Sequence, residues 1–233
     1  SSLAERLACR LGKERVVFVL DQTGEWVCKK GLPPCGEEKW ERVDPGVAVF
    51  EPAPNEVPAQ RALAFMQFIL TQARAEYVDG TPTPRTVIID EAHQFIPEPA
   101  GLGFGSPGRD ESYLFGTLMM QIRKYGIAVI LISQRTAVVA KSALSQCENL
   151  IAFKSVDQTG LEYLDAVAGG GVRGMLPRLN QGEAIIFGPA VSSDEPVAVI
   201  VARETDTAID PTPEEAGCSH GIDGSDGGFS QGS

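Results

Sequence analysis

The sequence predicts a three-layer α/β domain built around a mostly parallel β-sheet. Short runs of Val, Ile and Leu alternate along the chain with segments of helical periodicity. Near-continuous apolar runs of this kind are typical of strands that are buried on both faces, with helices covering the sheet. The predicted sheet strands are Val16–Leu20, Val47–Phe50, Thr86–Ile89 and Ile127–Ser133.

The segments between and after these runs complete the predicted order of elements. The predicted helices are Ser2–Leu11, Ala59 to about Tyr77, Glu111–Lys124, the short piece Ser142–Cys147, and Gln158–Ala168. A further strand is expected at Asn149–Phe153, and a closing hairpin at Glu183–Phe187 and Val197–Val201. Proline and glycine mark the stretches Asp21–Asp44 and Pro97–Arg109 as loops.

Charge divides the chain into two parts. The formal net charge is −11, yet no Lys or Arg follows Arg203, and the last thirty residues carry seven acids. Residues 1–203 therefore hold 24 acids against 20 bases, a net charge of −4. We predict one core domain at 1–203 and an acidic, Gly/Ser-rich disordered tail at 204–233. The core lacks the excess of Lys and Arg that nonspecific nucleic-acid binding needs, although a local basic ring inside an oligomer stays open.

Composition also bears on the cellular setting. The sequence contains no apolar run long enough for a membrane span and no secretory signal at its start. Its five cysteines are an odd number without the spacing of a disulfide framework or a zinc site. These features favour a reduced, cytoplasmic location.

The most informative segment chemically is residues 86–93, Thr-Val-Ile-Ile-Asp-Glu-Ala-His. Its apolar strand ends in two carboxylates, Asp90 and Glu91, and open α/β sheets bind ligands at the carboxyl ends of their strands. In a Walker B arrangement Asp90 helps to hold Mg²⁺ through its water shell, and Glu91 polarises the water that attacks the γ-phosphate of ATP. The alternative is that both acids only cap the helix that follows.

A Walker A loop, the usual partner of a Walker B strand, is not complete in this sequence, because no G-x-x-x-x-G-K-[ST] pattern occurs. The chain nevertheless opens with Ser1 and Ser2, a predicted helix and then the strand at Val16, which is the order that follows such a loop. We expect the two serines to end the nucleotide-binding loop, with the hydroxyl of Ser1 reaching Mg²⁺. The alternative is an ordinary helix with a serine cap.

Six segments resemble, in order, motifs of the HerA/FtsK group of P-loop ATPases. They are D-Q-T-G-E-W at 21–26, I-I-D-E-A-H-Q-F-I-P at 88–97, Q-I-R-K-Y-G at 121–126, I-L-I-S-Q-R-T at 130–136, L-S-Q-C-E-N at 144–149 and L-P-R-L-N-Q-G-E-A at 176–184. The departures are a long glycine-rich stretch at 97–110 and the missing glycines and lysine of the P-loop.

The resemblance implies a RecA-like P-loop NTPase fold and adds site residues. Gln134 would be the sensor that contacts the γ-phosphate or the attacking water. Arg123 would be an arginine finger that reaches across a subunit boundary, whereas an isolated helical arginine is more commonly solvated. Asp21 and Glu25 are expected at the same sheet edge, near either the nucleotide or a DNA-facing channel, and the sequence does not choose between these settings.

Two chemically capable side chains are expected to have structural tasks instead. His93 follows the strand end and is expected to be packed or hydrogen-bonded and not to act as a general base. Trp26 is expected in the core or in an interface, and not as a platform on which bases stack.

The implied function is Mg²⁺-dependent ATP hydrolysis that drives a ring, expected to be a hexamer, along double-stranded DNA or unwinds it, often with a nuclease partner. One rival is a related conjugation, secretion or viral genome-packaging ATPase. The N-terminal region would distinguish this rival from a HerA-like motor, because a β-barrel of the HerA type or a membrane anchor there would decide between them. A second rival is a non-catalytic nucleotide-binding scaffold, but such a scaffold has no physical need for the Asp90, Glu91, Gln134 and Arg123 set.

Overall fold

The computed structural model describes residues 2–30, 32, 34–51, 53, 55–169, 171–193 and 195–201. The predicted acidic tail at 204–233 and Ser1 lie outside the described residues. The backbone of Ser2 is described as the start of a helix, but its side chain is not. The domain boundary drawn from charge therefore stays a prediction.

Four parallel strands form the main sheet, namely β1 (Val16–Leu20), β2 (Gly46–Phe50), β3 (Arg85–Ile89) and β4 (Ile127–Leu131). Their order is β2-β1-β3-β4. The register is in line, because Leu20 pairs with both Phe50 and Ile89, and Ile89 pairs with Leu131. The carboxyl ends of all four strands therefore meet at one edge of the sheet.

Helices cover both faces of this sheet. They are α1 (Ser2–Leu11), α2 (Glu25–Lys30), α3 (Pro58–Asp79), α4 (Ala92–Phe95) and α5 (Arg109–Ile122). Side chains alternate along a strand, so Phe18 and Leu20 join one apolar cluster with α3 and α5, while Val17 and Val19 join another with α1. The three-layer α/β architecture predicted from the sequence is confirmed.

A separate three-stranded antiparallel sheet follows. It contains β5 (Leu150–Phe153), β6 (Glu183–Phe187) and β7 (Val197–Ile200), in that order, with helices α6 (Lys141–Leu144), α7 (Gln158–Ala168) and α8 (Val172–Met175) nearby in the chain. The predicted closing hairpin is confirmed by the antiparallel pairing of β6 with β7. Strand β5 pairs antiparallel with β6. The short apolar runs in the sequence predict the strands but not which of the two sheets each strand joins.

The prediction that Asp21–Asp44 is a loop is wrong in part, because this stretch contains helix α2 and a 3-10 helix at Glu37–Glu41. Its glycines and prolines fall around these short helices and not within them. A second 3-10 helix, at Pro99–Gly101, lies within the predicted loop at Pro97–Arg109. None of the helices in the described part of the chain combines the length and the apolar character needed to cross a membrane.

An ion pair anchors the start of β3 to the end of α3. Arg85, one residue before the predicted start of this strand, is fully buried, and its guanidinium donates two hydrogen bonds to the carboxylate of Glu76. The backbone N–H of Thr83 donates a third bond to Glu76. These bonds, led by that from Arg85, lower the pKa of Glu76 below its usual value of 4.5.

We expect Glu76→Ala to destabilise the fold by about 3–5 kcal/mol, because it leaves the Arg85 guanidinium buried without a counter-charge. Thermal and urea unfolding followed by circular dichroism would measure the loss. A matched control is Glu162→Ala, because Glu162 pairs with Arg173 and both side chains are about half exposed. Exposed pairs contribute about 0–1 kcal/mol. Equal losses in the two variants would contradict the prediction.

The same pair predicts a pH dependence. Because the folded pKa of Glu76 is depressed, its contribution to stability is complete above about pH 4.5 and is lost as the pH falls through the folded pKa. We expect the stability difference between the wild type and Glu76→Ala to shrink in that acidic range. A difference that stayed constant down to the acid unfolding of the wild type would refute the charge pairing.

Candidate active site

The paired acids lie where the sequence places them, at the carboxyl edge of β3 between the ends of β1 and β4. The backbone N–H of Asp90 bonds to the carbonyl of Leu20, and that of Ile132 bonds to the carbonyl of Ile89. The chain then turns sharply at Glu91, whose φ of 50° and ψ of 50° are left-handed. Among the described residues, Glu91 is the sole non-glycine with positive φ. A conformation of this kind costs about 1–3 kcal/mol and is typical of functional sites.

The carboxylate of Asp90 is held from two sides. Its Oδ2 accepts a hydrogen bond of 2.8 Å from the indole N–H of Trp26, and its Oδ1 accepts one of 3.0 Å from the backbone N–H of Glu91. Asp90 is buried, with 7% of its surface exposed. Each carboxylate oxygen has two lone-pair sites, so the bonds shown leave acceptor capacity on both oxygens.

The carboxylate of Glu91 is bracketed by two polar side chains. Its Oε1 accepts a hydrogen bond of 3.0 Å from the amide of Gln134, which follows β4. Its Oε2 is buried and has no hydrogen-bond partner among the described residues, but it lies 3.2 Å from Nδ1 of His93. His93 also lies 3.4 Å from the hydroxyl of Ser133.

Asp21 is at the same edge, directly after β1, but its carboxylate is turned into its own loop. Oδ1 accepts from the backbone N–H and the hydroxyl of Thr23, each at 2.9 Å, and Oδ2 accepts from the backbone N–H of Trp26 at 2.8 Å. Asp21 is fully buried. These contacts favour a loop-holding task over direct contact with a nucleotide. Glu25 begins α2 in this loop and is exposed, and its predicted role stays a prediction.

Arg123 is not brought to this site. It follows α5 at the amino end of β4, whereas Glu91 and Gln134 are at the carboxyl edge. Five strand residues span roughly 16 Å. The Arg123 side chain is 82% exposed and pairs with Glu148 of the same chain. Within one subunit, therefore, it cannot serve the acids of β3.

Trp26 contacts the candidate site, whereas the sequence placed it only in the core or in an interface. It is buried as expected, at 2% exposure, but its N–H bonds to a candidate metal-holding carboxylate 64 residues away. A signal was present, since the N–H of a buried Trp usually finds an acceptor and the motif D-Q-T-G-E-W ends in this residue.

Comparison with known proteins gives partial matches. No family model matches the chain. It is 32% identical over 111 residues to a probable helicase of Methanocaldococcus jannaschii, a match that covers 46% of this chain and 20% of that protein. It is 26% identical over 135 residues to the DNA double-strand break repair helicase HerA of Pyrococcus furiosus, with coverage of 53% and 21%. The chain thus spans about a fifth of these curated relatives.

A solved structure matches over most of the described fold. The genome packaging NTPase B204 of Sulfolobus turreted icosahedral virus 2 superposes with a TM-score of 0.60 at 17% identity, covering 82% of this chain and 84% of that one. At that identity the likeness concerns the fold, which is that of a P-loop NTPase domain. The chain is thus similar in sequence to two proteins named as helicases and in fold to a genome packaging NTPase, which agrees with the resemblance of its motifs to the HerA/FtsK group.

Proposed function

We propose that this chain is the ATP-hydrolysing core of a DNA motor of the HerA/FtsK type, which works as a hexameric ring on double-stranded DNA in the cytoplasm. The observation that carries the proposal is the meeting of Asp90, Glu91 and Gln134 at the carboxyl edge of β3 and β4. Two acids on one strand end, with a carboxamide from the neighbouring strand, are groups of the kind that hold Mg²⁺ and position the attacking water in phosphoryl transfer.

Glu91 is the general base in this proposal. Its Oε2 accepts no hydrogen bond in the part of the chain that the structure describes, so this oxygen keeps the capacity to accept a proton from the attacking water. The amide of Gln134 bonds to the other oxygen and fixes the orientation of the carboxylate. Its carbonyl oxygen stays available to accept from the same water. A positioned base contributes typically about 10²–10⁴-fold to a rate.

The residues present fit a Mg²⁺ ion that arrives together with ATP. Mg²⁺ keeps several waters and uses one or two carboxylates beside the phosphates. In the part of the chain that the structure describes, no group of three or more acidic, His or Cys side chains forms a protein cage for a metal. Asp90, with acceptor capacity left on both oxygens, would hold the ion through its waters, as Ser1 would through its hydroxyl. When bound, Mg²⁺ neutralises charge on the transferring phosphoryl group.

The proposal also concerns the polymer that the motor moves along and the proteins that work with it. Double-stranded DNA is favoured because both sequence relatives are named as helicases and B204 is named as a genome packaging NTPase. A nuclease partner remains an expectation of the family resemblance. The acidic balance of residues 1–203 means that any DNA-binding surface has to be formed by a local cluster of bases in the ring.

We expect the full-length gene product to hydrolyse ATP with Mg²⁺ and to do so several-fold faster with double-stranded DNA. The measurement is steady-state turnover with linear duplex, with single strands and without DNA, at fixed ionic strength. Turnover that is indifferent to DNA would overturn the choice of polymer and favour a motor that moves another substrate. No turnover under any of these conditions would favour the non-catalytic scaffold.

A further inference from the structure

A single hydrogen bond joins the loop after β1 to the acid at the end of β3. The indole N–H of Trp26 donates to Oδ2 of Asp90 at 2.8 Å, and both side chains are buried. A hydrogen bond in a buried setting is electrostatically stronger than one in water, so the loss of this bond would be costly. The backbone N–H of Glu91 holds the other oxygen. With both oxygens held, the plane of the carboxylate is fixed.

The position of Trp26 is itself determined by the loop. Asp21 accepts hydrogen bonds from the backbone N–H groups of Thr23 and Trp26, which closes the loop on a fully buried carboxylate. Gly24 supplies the positive φ, of 68°, that the turn requires. A chain of hydrogen bonds therefore runs from Asp21 through Trp26 to Asp90.

We propose that Trp26 is the positioning residue of Asp90, which orients the carboxylate for the water shell of Mg²⁺ through its indole N–H. This inference rests on the proposed function, because it concerns the acid that would hold the ion. It also gives the D-Q-T-G-E-W segment a task, in which Asp21 holds the loop and Trp26 reaches the strand end. Residues that orient metal-holding groups typically contribute about 10–100-fold to metal affinity or activity.

The chain contains its own control. The second tryptophan, Trp40, is also buried, at 7% exposure, and packs against Phe50, Phe65 and Phe68. Its indole N–H has no acceptor among the described residues. Trp40→Phe therefore removes packing and weakens the contact of the Arg61 guanidinium, which lies 4.7 Å from the ring centroid, but it removes no hydrogen bond. Trp26→Phe removes packing together with the hydrogen bond to Asp90.

The hydrogen bond can be tested without hydrolysis. The sequence has two tryptophans, so the ¹H–¹⁵N spectrum of the chain has two indole signals, which Trp40→Phe and Trp26→Phe assign. We expect Asp90→Ala to shift the Trp26 indole signal upfield and to leave that of Trp40 in place. Asp90→Asn, which keeps an acceptor oxygen, should give a smaller shift and serves if the alanine variant does not fold. An unmoved Trp26 signal in folded variants of Asp90 overturns the proposal.

The second readout is the metal dependence of turnover in the full-length gene product. We expect Trp26→Phe to raise the Mg²⁺ concentration for half-maximal activity about 10-fold or more, and Trp40→Phe to leave it unchanged. Equal effects of the two substitutions would make Trp26 a packing residue and overturn the inference. Absence of hydrolysis in the wild type would instead refute the proposed function. The indole spectrum would still show whether Trp26 is hydrogen-bonded to Asp90.

Discussion

Glu91→Gln is expected to lower ATP turnover about 10²–10⁴-fold while leaving the fold intact. Glutamine keeps the shape of the side chain and one carbonyl oxygen, but it cannot accept the proton of the attacking water. The left-handed backbone at Glu91 is held by its surroundings, because the N–H of the next residue, Ala92, bonds to the carbonyl of Ile132 at 2.7 Å. The substitution therefore changes the chemistry of the site more than its geometry. Steady-state turnover at saturating ATP and Mg²⁺ measures the loss.

The control for this variant is Glu162→Gln, the same chemical change on α7 in an exposed ion pair with Arg173. It should leave turnover unchanged. Thermal unfolding of both variants shows whether any loss is structural. If Glu91→Gln kept wild-type turnover while folded, Glu91 would not be the base. Its carboxylate would then have only a structural task, through the hydrogen bond that it accepts from Gln134.

The local part of the site could be predicted from the sequence, and the reason is physical. An apolar run that ends in two acids gives a buried strand and an edge position, with no further knowledge of the fold. For this reason Asp90 and Glu91 are the two residues that follow β3. Gln134 follows β4 by the same logic, and parallel pairing of the two strands brings its amide to Glu91.

What could not be predicted depends on contacts between distant residues. The bond from Trp26 to Asp90 joins residues 64 positions apart, and no spacing rule predicts a bond at that separation. Arg85 reads as a residue outside a buried strand, yet it is fully buried because Glu76 lies across from it. Helix α2 could not be predicted from apolar periodicity, because its start is held by a hydrogen bond from the backbone N–H of Trp26 to the carboxylate of Asp21.

The position of Arg123 makes its predicted role testable in a specific way. Because it is at the amino end of β4, it can act as an arginine finger only on the site of another subunit. Its ion pair with Glu148 is exposed and so contributes about 0–1 kcal/mol, which a phosphate contact could readily replace. We expect Arg123→Ala to lower turnover about 10³–10⁵-fold without loss of stability. Arg173→Ala, in a comparable exposed pair, is the control and should retain full turnover.

Mixing the two inactive variants separates action between subunits from action within one. A ring that contains both Arg123→Ala and Glu91→Gln subunits has some interfaces where an intact Glu91 faces an intact Arg123. If the finger acts across subunits, these interfaces hydrolyse ATP, and the mixture is more active than either variant alone. A mixture that forms joint rings and yet shows no recovery would rule out the finger. Arg123 would then be a solvated helical arginine whose partner is Glu148.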